Sequence, residues 1–360
     1  MGIIAFKRSQ LEDVAHHRDN LRKTPHLRWL FFEITNRCNL NCRHCGSKCS
    51  AKGQALSVEE IENTLKTVRA EHPAICLTGG EPLLHPDFFE IAEGIRSDGF
   101  HWGMTTNATL IDKTAAQKLR RAGMSTVSVS LDGMESSHDA LRGQTGAWRL
   151  ALRGLQALQE AGFQPQVTTV LHRDNFGELE ALYQFLCRLG ITAWRPINVE
   201  PIGRACESRE LLLTPEQMAQ LLAFIREKRF DPGCPMEVTF GCSHYLGASY
   251  ERMVRDHYFL CGAGILTASV RSNGDICACL DIENRPELVQ GNIRTDDFRD
   301  VWYHRFEPFR HDRTMNCEKC SDCSERYLCG GDSAHTWDYG RNKPMLCWQD
   351  YSRYLKDYDE

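Results

Sequence analysis

The sequence has no apolar run approaching the ~20 residues that a bilayer-crossing helix needs, so no membrane span is expected. Its amino terminus, MGIIAFKRSQ, is too short in its apolar part for a secretory signal. A surplus of one charge is also lacking. Lys and Arg number 43 against 48 Asp and Glu, and the formal net charge of −5 argues against a nucleic-acid binder or a polyanion-seeking surface. Internal repeats and low-complexity segments are missing as well. A reducing cytoplasm is the expected location, with neither nucleic acid nor membrane as partner.

What is present fits a soluble enzyme of two or three domains, with 360 residues, 42% hydrophobic and 25% charged. The conspicuous surplus is cysteine, at 17 residues. Without an export signal, metal or catalytic use is favoured over disulfides. The cysteines also cluster. Cys38, Cys42, Cys45 and Cys49 lie close together, and nine more fall between residues 242 and 347. Cys76, Cys187, Cys206 and Cys234 stand apart and read as small buried hydrophobes.

From residue 27 a strand–helix rhythm begins. Strands are predicted at 27–35, 74–80, 101–107, 125–132, 164–172 and 193–201. Helices are predicted at 58–70, 87–97, 112–122, 146–161, 176–189 and 215–228. Ser57 with Glu60 forms a capping box, and Thr214-Pro215 a cap with a first-turn proline. Six such units imply right-handed parallel crossovers, and six rather than eight imply an incomplete barrel with an open side. The fold class expected is α/β, a partial (β/α)6 TIM-like barrel plus a small cysteine-rich α+β domain. The division expected is an extension over 1–26, in which Leu11, Val14 and Leu21 allow a weak amphipathic helix, a barrel over 27–230, a metal-stapled domain over 231–350 and a tail over 351–360. DPGCP at 231–235 reads as the linker. Ser272-Asn273-Gly274-Asp275 reads as a hairpin turn after a strand at 266–272.

Cys38, Cys42 and Cys45 follow the first strand with C-x3-C-x2-C spacing. Three thiolates on one tight loop leave one iron of a four-iron cubane without a protein ligand, and an open position lets a metal site activate a substrate. Two other readings compete: a zinc knuckle, and a ferredoxin-type site in which Cys49 fills the fourth position. The next strand ends in Thr78-Gly79-Gly80-Glu81-Pro82. Glycines there admit close backbone approach to a ligand, and Glu81 with a carbonyl offers acceptors to an ammonium group.

Taken together, Cys38/Cys42/Cys45, Gly79-Gly80-Glu81-Pro82, Thr105-Thr106-Asn107 and Ser128-Val129-Ser130-Leu131-Asp132-Gly133 resemble the radical S-adenosylmethionine enzymes over roughly residues 27–215. The resemblance implies that the open iron chelates S-adenosylmethionine. One-electron cleavage then gives methionine and a 5′-deoxyadenosyl radical that abstracts hydrogen from substrate. It implies that Gly79, Gly80 and Glu81 hold the methionine amine, that Asn107 and Ser130 face the ribose, and that Arg142 pairs with the methionine carboxylate. The rival reading of Arg142 is a solvated helix-entry residue. His44 reads as a packing residue beside the adenine rather than a ligand.

The carboxyl-terminal pattern of Cys261, Gly274 and Cys279, then Cys320-x2-Cys323-x5-Cys329 and Cys347, resembles the SPASM extension, which carries two auxiliary iron–sulfur clusters. The resemblance assigns Cys320, Cys323, Cys329 and Cys347 to the outer cluster and starts the inner one with Cys261 and Cys279. Where the pattern expects another cysteine, the chain has Ser333. Cys317, Cys242 and Asp332 compete to complete the inner cluster, which otherwise keeps an open iron; Cys317 is preferred because thiolate is the commoner ligand, and Cys277 rivals Cys279. A zinc ribbon is the alternative for this region.

Asp281 is the candidate general base by resemblance to related dehydrogenating enzymes, against a plain turn aspartate. Glu200, His244 and Tyr245 are further pocket candidates without a motif. The function expected is hydrogen abstraction from a peptide or protein side chain, leading to crosslinking, epimerisation or oxidation. A small-molecule substrate such as a sugar, alcohol or cofactor precursor is the main alternative. The non-enzyme alternatives are an electron carrier and a zinc-stapled interaction module. The roughly 26 residues before the barrel are too few for a folded leader-binding domain. A flavodoxin or ferredoxin is the electron donor that the resemblance implies.

Overall fold

The computed structural model describes residues 3–47, 49, 52–241 and 243–355. Cys242, one of the competing ligands, lies outside the described residues. The chain opens with α1 (Ile3–Lys23), then alternates through β1 (Trp29–Thr35), α2 (Val58–Thr67), β2 (Ala74–Gly79), α3 (Phe88–Ser97), β3 (Trp102–Thr106), α4 (Lys113–Arg121) and β4 (Thr126–Ser130). Two helices follow, α5 (Glu135–Arg142) and α6 (Ala147–Glu160), then β5 (Gln166–Leu171), α7 (Leu179–Arg188), β6 (Ala193–Asn198) and α8 (Pro215–Phe230). β1 to β6 pair consecutively and in parallel. Both faces of such a sheet are covered, so a run like WLFFEIT is apolar nearly throughout, with Leu30, Phe32 and Ile34 fully buried.

The helix starts follow local chemistry. Ser57 Oγ accepts from the Glu60 amide at 3.1 Å while Glu60 Oε2 accepts from the Ser57 amide at 2.7 Å. Thr214 and Gln217 repeat the device at 3.2 and 3.0 Å, with Pro215 in the first turn. Two helices depart from expectation. α1 runs for 21 residues and docks on the cysteine-rich end of the chain. α5 was not anticipated, because its eight residues are mostly polar, and it delivers Arg142 to the site.

After residue 230 come β7 (Glu237–Val238), α9 (Glu251–Val254), β8 (Thr267–Val270), β9 (Asp275–Cys277), β10 (Gly291–Asn292) and α10 (Phe298–His304). This region shares the sheet of the barrel. Its strands extend both edges of the barrel sheet, giving the order β10-β9-β8-β1-β2-β3-β4-β5-β6-β7. β8 pairs in parallel with β1, with Phe31 opposite Ser269, and β7 pairs with β6. Phe298, Trp302 and Phe306 join the same core as Phe32 and Trp194. The physical reason is edge pairing: β1 and β6 of an open barrel carry unpaired backbone groups that another strand must satisfy. The turn after β8 forms as expected, with Gly274 at φ 89° and Ser269 opposite Cys277. No helix among the described residues is long and apolar enough to cross a membrane.

Candidate active site

The cysteine loop leaves the end of β1 and is held by its neighbours on every side. The Asn41 and Arg43 amides donate to the Arg142 and Leu141 carbonyls at 3.1 and 2.9 Å. Gly143, at φ 70°, permits this approach, since a Cβ there would lie 2.8 Å from the Asn41 carbonyl oxygen. From the loop after β6, Arg204 donates to the carbonyls of Cys42 at 2.7 Å and Cys49 at 3.2 Å, and its amide to that of Cys45 at 3.0 Å. Asn39 closes the third side. It accepts from Asn107 Nδ2 at 3.0 Å and donates to Thr109 Oγ1 at 2.8 Å.

Beneath the loop lies a buried ion pair. Arg142 Nη2 is 2.5 Å from Asp132 Oδ2, and its Nη1 points at Cys42 Sγ at 3.6 Å. Burial opposes the guanidinium charge, but Asp132 and Cys42 outweigh it and raise the Arg142 pKa. Burial likewise pushes the Asp132 carboxyl up, and Arg142 with His44 pulls it further down. Arg142 is thus neither solvated nor unpaired: a protein carboxylate already takes it. His44 Nε2 lies 3.8 Å from the same Asp132 oxygen, and burial lowers its pKa to about 4.

Glu81 is turned into the protein. It is fully buried; Thr106 Oγ1 donates to its Oε1 at 2.7 Å and the Asn107 amide to its Oε2 at 2.8 Å. Burial pushes its carboxyl up to about 7 against these bonds. The carboxylate therefore clasps the end of β2 to the end of β3. Gly79 and Gly80 have an equally local cause. A Cβ on either would lie 2.3 Å from the Thr35 oxygen or 2.1 Å from the Arg37 oxygen. Asn107 is committed too, accepting from the Thr109 amide and hydroxyl at 2.9 and 2.7 Å. Ser130 ends β4, half-buried, with its backbone opposite Thr168.

The three thiols suit a cluster with one open corner. They share one fixed loop, and Arg142 and Arg204 supply cations to balance an anionic group. Cys49 is buried, and its thiol donates toward Cys45, which pulls the Cys45 thiol down to about 5. In this geometry Cys49 serves Cys45 as a hydrogen-bond donor.

A cavity of about 810 Å³ opens between the cysteine loop and the carboxyl-terminal region. Gly46, Asp281 and His335 line it, and a Cβ on Gly46 would lie 3.4 Å from Asp281 Oδ1. Burial raises the Asp281 carboxyl pKa. His335 joins two expected residues: its Nε2 is 3.1 Å from Glu200 Oε2, and it hydrogen-bonds Cys279. His244 and Tyr245 do not reach this cavity. His244 is locked between Ser243 and Tyr351 at 2.8 Å each, and Tyr245 donates to Glu325 at 2.7 Å.

Among the remaining cysteines, Cys261 Sγ accepts from the Ala334 amide at 3.3 Å, while Cys277 is buried with Arg271 and Cys279 as neighbours. Cys320, Cys323, Cys329 and Cys347 line one small pocket together with Asp332. The Cys317 thiol, preferred for the inner cluster, adjoins that of Cys320, because the 317–320 turn hydrogen-bonds Cys320 back onto Cys317. Asp332, at φ 64°, spends one carboxylate oxygen on the Tyr245 and Ser333 amides at 2.8 and 3.1 Å.

Sequence reasoning missed Arg204, Gly203 and His335, and it quoted Asp132 without a role. Gly203, at φ 53°, had one faint signal: a glycine followed by an arginine just past a strand end, which lets that loop close on Cys45.

Residues 32–186 match the model of the radical SAM superfamily, and residues 261–324 that of SPASM, an iron–sulfur cluster-binding domain. The chain is 30% identical over 346 residues to the AdoMet-dependent heme synthase of Methanosarcina barkeri, covering 89% of this chain and 97% of that protein. It is 29% identical over 309 residues to the mycofactocin maturase MftC of Mycolicibacterium smegmatis, covering 84% and 76%. Among solved structures, native anSMEcpe with bound AdoMet superposes with a TM-score of 0.72 at 20% identity, over 91% of this chain and 95% of that one. The chain belongs to the radical S-adenosylmethionine superfamily, with a SPASM domain and with S-adenosylmethionine and iron–sulfur clusters as its cofactors.

Proposed function

We propose that this enzyme abstracts a hydrogen atom from a side chain of a carboxylate-bearing tetrapyrrole. The observation that carries the reading is the similarity, over nearly the whole of both chains, to a heme synthase. The cavity supports it, being within the range of small-molecule sites, with Arg209, Arg341 and Lys343 on its exposed rim as partners for carboxylates. A peptide or protein substrate is the second reading, favoured by the similarity to a maturase.

When bound at Cys38, Cys42 and Cys45, the cluster and S-adenosylmethionine supply a 5′-deoxyadenosyl radical. The residues around them position and shield. Arg204, Asn39 and the Arg142–Asp132 pair fix the cysteine loop. The carbonyls of Gly79 and Gly80 hold the methionine amine, and Asn107 and Ser130 border the ribose. Asp281 takes up a proton at its carboxylate, with His335 and Glu200 behind it as an ion pair. Cys261 and Cys279 begin one auxiliary cluster, and Cys320, Cys323, Cys329 and Cys347 hold the other. A flavodoxin or ferredoxin delivers the electron.

The test uses reconstituted holoenzyme under anaerobic, reducing conditions with iron coproporphyrin III deuterated in its side chains. Deuterium should appear in 5′-deoxyadenosine. Cofactor cleavage that the porphyrin neither stimulates nor labels would overturn the tetrapyrrole reading and leave the peptide one.

A further inference from the structure

The carboxyl-terminal half of α1 is built around two arginines that point inward. Arg18 is 7% exposed and donates to the Leu328 carbonyl at 3.1 Å and the Tyr327 carbonyl at 2.5 Å, gripping the turn that carries Cys329. A Cβ on Gly330, at φ 66°, would lie 2.2 Å from Arg18 Nη1, so only glycine admits the guanidinium here. Arg22 lies one turn on, and Arg313 arrives from the other side. All three guanidiniums line one small cavity whose remaining polar walls are Cys261, Cys329 and Asp332.

The carboxylates that face this crowd of cations are Asp19, Asp312 beside Arg22 and Asp332 beside Arg313. Asp19 serves both helix arginines, at 3.8 Å to Arg18 and 3.1 Å to Arg22. The Nε of Arg18 and the Nη1 of Arg313 are buried with no hydrogen-bond partner among the described residues. Gathering like charges in a poorly solvated space is unfavourable unless an anion shares it. An iron–sulfur cluster bound by thiolates is anionic, and its reduction adds a further negative charge. Nearby fixed cations therefore favour the reduced form and raise the potential.

We propose that Arg18 and Arg22 of α1, together with Arg313, form a charge shell between the two SPASM clusters, beside Cys261 of the inner one and Cys329 of the outer one, and raise their potentials. The helix that begins the chain is then a tuning element of the cofactor centre at its other end. The inference stands on the cofactors and needs no identified substrate.

The experiment is an EPR-monitored redox titration of reconstituted holoenzyme, with iron and sulfide content measured alongside. Arg18→Gln, Arg22→Gln and Arg313→Gln should each shift the auxiliary midpoint downward. The Arg22→Gln/Arg313→Gln double variant should shift it further, and Arg18→Lys should restore most of the loss. The midpoint of the cluster at Cys38, Cys42 and Cys45 should stay in place. Arg18→Gln removes two backbone anchors as well as a charge, so if it fails to fold, Arg22→Gln and Arg313→Gln decide. Unmoved auxiliary midpoints in those two variants, at wild-type iron content, would overturn the proposal.

Discussion

The two cysteine-bearing regions of this molecule are built on opposite principles. The loop of Cys38, Cys42 and Cys45 hangs from a parallel sheet with a large core and is held by Asn107 just after β3, the backbone carbonyls of α5 and Arg204 from the loop after β6. Its geometry belongs to the protein. Of the cysteines from 317 to 347, Cys320 and Cys329 sit on helices of four residues, and Cys317, Cys323 and Cys347 lie between such short elements. On the proposed ligand set their geometry depends on the cofactor, as in small domains whose metal-binding energy is folding energy. The contrast is between a cysteine loop finished by the protein's own contacts and a cysteine group set among elements too short to hold themselves.

Stripping iron should break this comparison most visibly. Hydrogen exchange of apo-protein should show residues 317–347 losing most of their protection while β2 to β5 keep theirs; equal loss in both regions would abolish the distinction. Cys42→Ala should reduce 5′-deoxyadenosine release to background while thermal unfolding of the barrel stays close to wild type, since the loop is held by carbonyls rather than by sulfur. Asp132→Ala leaves Arg142 buried and uncompensated and should cost roughly 3–5 kcal/mol in denaturant titrations. The smallest effect is expected for Cys49→Ala. It removes one donor to Cys45 and should leave the iron content of the amino-terminal cluster unchanged, whereas loss of that cluster would restore the ferredoxin-type ligand set.

The comparison also marks how far the residues could be read in advance. The barrel rhythm was legible because its strands are apolar runs and its helices begin with capping chemistry, as at Ser57 and Thr214. The cysteine loop was legible because Cys38, Cys42 and Cys45 are four and three residues apart. Glu81 was visible as a motif but not as a clasp, since nothing local says that its carboxylate meets Thr106 and Asn107, 25 and 26 residues away. Arg142 was visible beside a glycine, but its burial against Asp132 depends on how α5 packs. The reach of Arg18 to Leu328 spans 310 residues and leaves no trace in composition or period. The cysteine-rich end looked separate because its elements are short, and only the open edges of the barrel made it part of the same sheet.

The sequence by itself determined the alternation of strands and helices, the spacing of the ligand cysteines and the family of chemistry, because these are set by residues within a few positions of one another. Tertiary structure alone decided which charge faces which sulfur: the Arg142–Asp132 pair under Cys42, His335 between Glu200 and Cys279, and the arginines of α1 beside Cys261. Those pairings join distant segments, and their strength comes from the low-dielectric interior that exists only once the chain has closed around them.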